Sequence, residues 1–125
     1  MRKPRKREQS PRLQPEQYEC QTFIRRLRQY HPEILCYHIK NESKYATHVD
    51  EGIVKGLPDY HVPMRGINGE IGLWIEFKAE SRRNHANGGC SDDQVAIMEQ
   101  LRKLGHKCAV AYTWEEAIEI LFNYL

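Results

Sequence analysis

The spacing of apolar positions changes period several times along the chain, and each change marks an element. Pro15 suits a first helical turn. After it, apolar side chains fall at Phe23, Ile24 and Leu27, with Tyr30 continuing the stripe and Arg25, Arg26 and Arg28 lying off it. Pro32 disfavours helix in the residue before it, so the pattern predicts a helix from Pro15 to about Tyr30. Residues 34–39 are β-branched and aromatic and read as a short strand. Tyr45, Val49, Ile53 and Val54 recur at helical spacing, which predicts a short helix within 40–56, stopped by Gly56. Residues 57–63 read as a second strand, with Pro58 near its start, where a missing N–H matters least.

Asn68-Gly69 is a hairpin-turn signal, and the most strand-like run of the chain, 71–79, follows it. Residues 80–90 are polar and glycine-rich, which predicts an exposed, mobile loop. Ser91-Asp92-Asp93-Gln94 has the form of a capping box, in which the serine caps the helix and the glutamine reaches back. Ile97, Met98, Leu101 and Leu104 continue it as an amphipathic helix that Gly105 stops. Residues 107–112 read as a buried strand, and Thr113-Trp114-Glu115-Glu116 as a second capping box. It opens a final helix with Ala117, Ile118, Leu121 and Tyr124 on its apolar face. Helices and strands in this order predict an α/β fold, a central sheet flanked by helices.

Composition narrows the class. The 125 residues suit one domain able to bury a core. No apolar run approaches the ~20 residues that span a bilayer, and no apolar stretch follows the charged N-terminus, so the expected location is cytoplasmic, in whatever cell makes it, with no membrane partner. The four cysteines are scattered without a C-x-x-C pair and are expected to be reduced and structural. Net charge is +2, but residues 1–14 alone carry six basic groups and one acid, which leaves 13 basic and 16 acidic groups on the rest. Residues 1–14 therefore read as a disordered basic arm ahead of a domain at 15–125. Such an arm suits a polyanionic partner, and equally a solvated tail.

Candidate chemistry gathers on the 71–79 strand. Alternation sends Leu73, Ile75, Phe77 and Ala79 to one face and Trp74, Glu76 and Lys78 to the other. A Glu–Lys pair at that spacing is common on ordinary solvent faces. Asp59, at the start of the neighbouring strand, changes its meaning, because two adjacent carboxylates need neutralising. Mg²⁺ does this with one or two carboxylates, water and substrate phosphate, and Lys78 is then placed to orient or help deprotonate an attacking water. Asp59 is also an ordinary turn residue after proline. His61 shares its face without a second histidine at ligand spacing. Arg82, Arg83 and His85, in the loop beside the site, suit contact with DNA phosphates or simple solvation. Trp74 suits packing more than base stacking, and Arg25 and Arg26 suit an exposed face, with DNA contact the lesser reading.

The segments Gly56-Leu57-Pro58-Asp59-Tyr60 and Gly72-Leu73-Trp74-Ile75-Glu76-Phe77-Lys78-Ala79 resemble the PD-(D/E)xK nuclease motif. With Ser91-Asp92-Asp93-Gln94, the Leu101 to His106 segment and Ala111 to Ala117, the ordered set resembles the virus-type replication–repair nuclease (VRR-NUC) domain, over nearly everything from residue 15 onward. The resemblance implies a restriction-endonuclease-like fold and a metal-dependent DNA endonuclease using Mg²⁺, with Mn²⁺ as a substitute. It also implies a homodimer selective for branched DNA such as four-way (Holliday) junctions. Asp59, Glu76, Lys78 and Gln94 would be its catalytic residues. Glu19 on the first helix would join Asp59, Glu76 and the Phe77 carbonyl around the metal, although Glu16 lies one turn earlier on much the same face. A non-catalytic nucleic-acid-binding module, or a flap- or RNA-directed nuclease, would share these features.

Overall fold

The computed structural model describes residues 14–39 and 52–125. The basic arm up to residue 13, and residues 40–51 of the expected short helix, lie outside the described residues; 52–56 form turns rather than helix. The described elements are α1 (Pro15–Tyr30), β1 (Tyr37–His38), β2 (Tyr60–Val62), β3 (Leu73–Phe77), two 3₁₀ turns (Glu80–Arg82 and Ala86–Gly89), α2 (Asp92–Lys103), β4 (Lys107–Ala111) and α3 (Trp114–Tyr124). The strands form one mixed sheet in the order β1-β2-β3-β4. The first two pairings are antiparallel and β3–β4 is parallel. A parallel pair needs a long crossover, and α2 lies within it.

The helices match the periodic pattern closely, and the strands are shorter than expected. Of 34–39 only Tyr37 and His38 pair, at the sheet edge, and of 57–63 only Tyr60 to Val62. A strand's length is set by how far its neighbour runs alongside, which β-propensity in one segment does not report.

Alternation along β3 divides the interior into two layers. Leu73, Ile75 and Phe77 are fully buried among Phe23 and Leu27 of α1, Tyr60 and Val62 of β2, and Ala117 and Leu121 of α3. On the other side Trp74 packs with Cys90, Met98 and Cys108, backed by Val95 and Leu101 of α2. Because helices cover both faces, all five β3 residues are buried. The four cysteines are unpaired, and burial pushes the thiols up, to about 12 for Cys20 and Cys36 and about 11 for Cys108.

Two local signals resolve differently. The box at α2 forms in full: Ser91 Oγ accepts from the Gln94 N–H at 3.2 Å, and Gln94 Oε1 accepts from the Ser91 N–H at 2.8 Å. At α3 only half of it forms. Thr113 Oγ1 accepts from the Glu116 N–H at 3.2 Å, but the Glu116 carboxylate is held by Arg83. The 80–90 segment, expected to be an exposed loop, winds into the two 3₁₀ turns and ends buried at Gly89 and Cys90. Asn87 and Gly88 take left-handed conformations in its second turn, and Tyr112 Oη donates to the Gly88 carbonyl at 2.7 Å.

Candidate functional site

The segment leading into β2 is held against the start of α2. Gly56 has φ +93°, and a Cβ there would lie 2.7 Å from the Asp93 carbonyl oxygen, so the close approach needs glycine. Pro58 is fully buried behind it. Asp59, one residue before β2, then meets β3, where its Oδ2 accepts from the Phe77 N–H at 2.8 Å. The register that pairs Tyr60 with Ile75 brings Asp59 alongside Glu76.

Glu76 is 3% exposed and Lys78 8%. Glu76 Oε1 lies 3.6 Å from Lys78 Nζ and accepts from Gln94 Nε2 at 3.1 Å. Gln94 thus serves its helix cap and touches the site at once. The first turn of α1 adds a third acid: Glu16, Asp59 and Glu76 each offer an oxygen within 4.8 Å of the others.

All three carboxyls are pushed above their ordinary range. For Glu76 burial contributes most and the Asp59 charge next, with Lys78 opposing, and the result is about 8. Asp59 is raised by burial and partly restored by the Phe77 N–H. Glu16 is raised by burial and then by Asp59. Three acidic groups therefore converge, Glu76 buried and the other two half-buried, with Lys78 the neighbouring buried cation. Glu76 Oε2 is also buried, and among the described residues no donor reaches it. An orphaned oxygen among three converging carboxylates fits a hard divalent cation, which takes oxygen ligands and would satisfy the orphan and the charge together.

The other expected residues are placed as follows. Glu19 is turned away from the cluster, and its Oε2 accepts from the Trp114 N–H at 2.7 Å, at the start of α3. An unsatisfied helix N-terminus attracts a carboxylate, so of the two acids on α1 it is Glu16 that meets Asp59 and Glu76. The Phe77 side chain is in the core, leaving only its backbone at the site. Arg82 is exposed, and its charge is close enough to favour ionised Glu16. Arg83 is engaged by Glu80 and Glu116 and lies over the Tyr112 ring at 4.4 Å. His85 is exposed. His61 belongs to another cluster: its Nδ1 is 2.6 Å from Tyr37 Oη, and its ring stacks on Trp74 at 4.0 Å.

One residue had no sequence signal. His38 sits beside the Asp59 charge, favouring its ionised form, and lines a small cleft with Glu16 and Asp59. The β1–β2 pairing of His38 with Tyr60 brings it there, and that pairing is not written in either segment alone.

No protein-family model and no curated protein matches this chain. Among solved structures the chain is similar to one described as a "VRR_NUC domain protein", with a TM-score of 0.57 and 26% identity. The likeness covers 71% of this chain and 65% of that one, so this chain spans a little under two-thirds of the length of its structural relative.

Proposed function

Starting from a VRR-NUC-type fold, we propose that this protein is a metal-dependent DNA endonuclease hydrolysing phosphodiester bonds, with Glu16, Asp59, Glu76 and Lys78 at its centre. The observation that carries the reading is the convergence of three carboxylates, Glu76 buried and Glu16 and Asp59 half-buried, beside Lys78, with Glu76 Oε2 lacking a partner among the described residues. Asp59, Glu76 and Glu16, together with the Phe77 carbonyl, are the groups that would hold Mg²⁺ or Mn²⁺. Such a cation, when bound, shields the charge that builds on a phosphate and makes a water more acidic. Lys78, anchored by Glu76, orients the attacking water and helps take its proton. Gln94 fixes the rotamer of Glu76. Water attacks phosphorus, the P–O bond to the leaving strand breaks, and the leaving oxygen takes up a proton. Arg82 and His85, exposed on the first 3₁₀ turn and just after it, contact flanking phosphates.

Branched DNA is the proposed substrate and a homodimer the proposed assembly, since two sites related by one axis can address two strands. The test is a panel of labelled four-way junction, flap, linear duplex, single strand and RNA, each with Mg²⁺, Mn²⁺ or EDTA. Metal-dependent cutting, fastest on the junction, is expected. Unimpaired cleavage by Glu76→Ala and Lys78→Ala would overturn the catalytic assignment. Tight, metal-independent binding without cleavage of any form would make the protein a nucleic-acid-binding module instead.

A further inference from the structure

A cleft leads away from the carboxylates along α1. The hollow beside the cluster is lined by Glu16, Cys20, Asp59, His38 and Tyr60. A larger hollow of about 530 Å³ continues from it, sharing Gln21, His38 and Tyr60 and walled on its far side by Arg25 and Arg28. Gln21, Arg25 and Arg28 follow one another at four- and three-residue spacing and so share one helix face. Among the described residues, the lining of the larger hollow includes no carboxylate. Both arginines are exposed, and among the described residues neither forms an ion pair. Their neighbour Arg26 is different: its guanidinium lies over the Trp114 ring at 4.9 Å.

The charges along this path are ordered. One end holds acids suited to a cation and, through it, to a phosphate; the other holds two uncommitted guanidiniums, whose planar forks match phosphate oxygens. By helix rise, Arg25 and Arg28 stand ~13 and ~18 Å along the axis from Glu16, a reach of a few nucleotides. We propose that this cleft is the track of the cleaved DNA strand, with Arg25 and Arg28 each holding a backbone phosphate and His38 at the join between track and cutting site. The proposal rests on the nuclease reading for the direction of the strand, but binding along α1 can be tested without cleavage.

The experiment titrates fluorescein-labelled four-way junction with full-length protein, in Ca²⁺ and across a series of NaCl concentrations, reading anisotropy. Arg25→Glu/Arg28→Glu is compared with wild type and with Lys103→Glu, an exposed charge on α2, across the sheet. The double variant is expected to weaken binding about 30-fold and to reduce the salt slope by about 2, one for each phosphate no longer held. Lys103→Glu should change affinity less than about threefold. With Mg²⁺ and DNA varied up to saturation, the double variant should raise KM and leave kcat within about threefold of wild type. Arg25→Gln/Arg28→Gln, should the reversal unfold the helix, is expected to reduce the slope equally with a smaller loss of affinity. An unchanged salt slope in both double variants, or an equal loss in Lys103→Glu, would overturn the track. Wild-type binding that depends on these arginines, without cleavage of any DNA, would leave the track standing and remove the nuclease reading. Cleavage by wild type and double variants with equal KM would remove the track alone.

Discussion

The two faces of β3 are buried to nearly the same degree and have opposite energetic character. Leu73, Ile75 and Phe77 pack in one hydrophobic cluster with neighbours from α1, α3 and the sheet, and removing them from water stabilises the fold. Trp74 begins the other face in the same way, against Met98. One register step further on, Glu76 and Lys78 are buried side by side, with a second carboxylate beside them and one oxygen without a donor among the described residues. Desolvation of such a pair offsets much of its attraction. A charged pair that adds little to stability, beside an apolar face that adds much, is consistent with the metal site proposed above.

That contrast can be broken from either side. The largest expected effect is on chemistry: Lys78→Met should lower cleavage about 10⁴-fold, or ~5 kcal/mol in the barrier, with the circular dichroism spectrum unchanged. Cleavage at the wild-type rate would remove Lys78 from the mechanism. Next is the apolar face, where Phe77→Ala should cost ~4 kcal/mol in urea unfolding by leaving a cavity; a loss below ~1 kcal/mol would mean the core closes around it.

Glu76→Gln should act in the opposite direction. Its carboxyl is raised to about 8 by burial and by Asp59. Folding therefore favours its protonated form, a contribution complete below the ordinary carboxyl range and lost as pH rises through about 8. In EDTA the melting temperature of the wild type should fall between pH 5 and pH 8, while that of Glu76→Gln falls less, Asp59 and Glu16 still being raised by burial. By pH 8 the variant should be ahead by ~2 kcal/mol, and Mg²⁺ should narrow the gap by stabilising the wild type. A flat wild-type profile, or a variant less stable at pH 8, would contradict the strain ascribed to this face. The smallest effect separates the two acids of α1. Glu19→Gln should cost ~1 kcal/mol of stability through the weakened hold on the start of α3, whereas Glu16→Gln should mainly slow cleavage; the reverse pattern would exchange their roles.

Sequence periodicity located α1, α2, α3, β3 and β4 because each carries its own apolar stripe or run. It overstated β1 and β2, whose extent depends on partners distant in the chain. At the site, alternation alone put Glu76 and Lys78 on one face, and the Ser91–Gln94 spacing marked the helix start that carries Gln94. Three features could not be read locally. Glu16 and Glu19 share a helix face, and only the position of Trp114 separates them. The Thr113 box looks complete until Arg83, 33 residues away, takes Glu116. The burial of Glu76 and Lys78 depends on α2 covering that side of the sheet, and in the strand itself they read as an ordinary exposed pair.

Gln94 has a consequence for redesign. Its Oε1 is committed to the Ser91 N–H, so the end that faces Glu76 has to be the donor. Glutamate completes a capping box as well as glutamine does. At this position it would start α2 equally well and present Glu76 with a fourth negative group in place of an amide hydrogen. A substitution that any rule for helix starts would pass as neutral would therefore leave the fold whole and spoil the polarity of its most delicate contact.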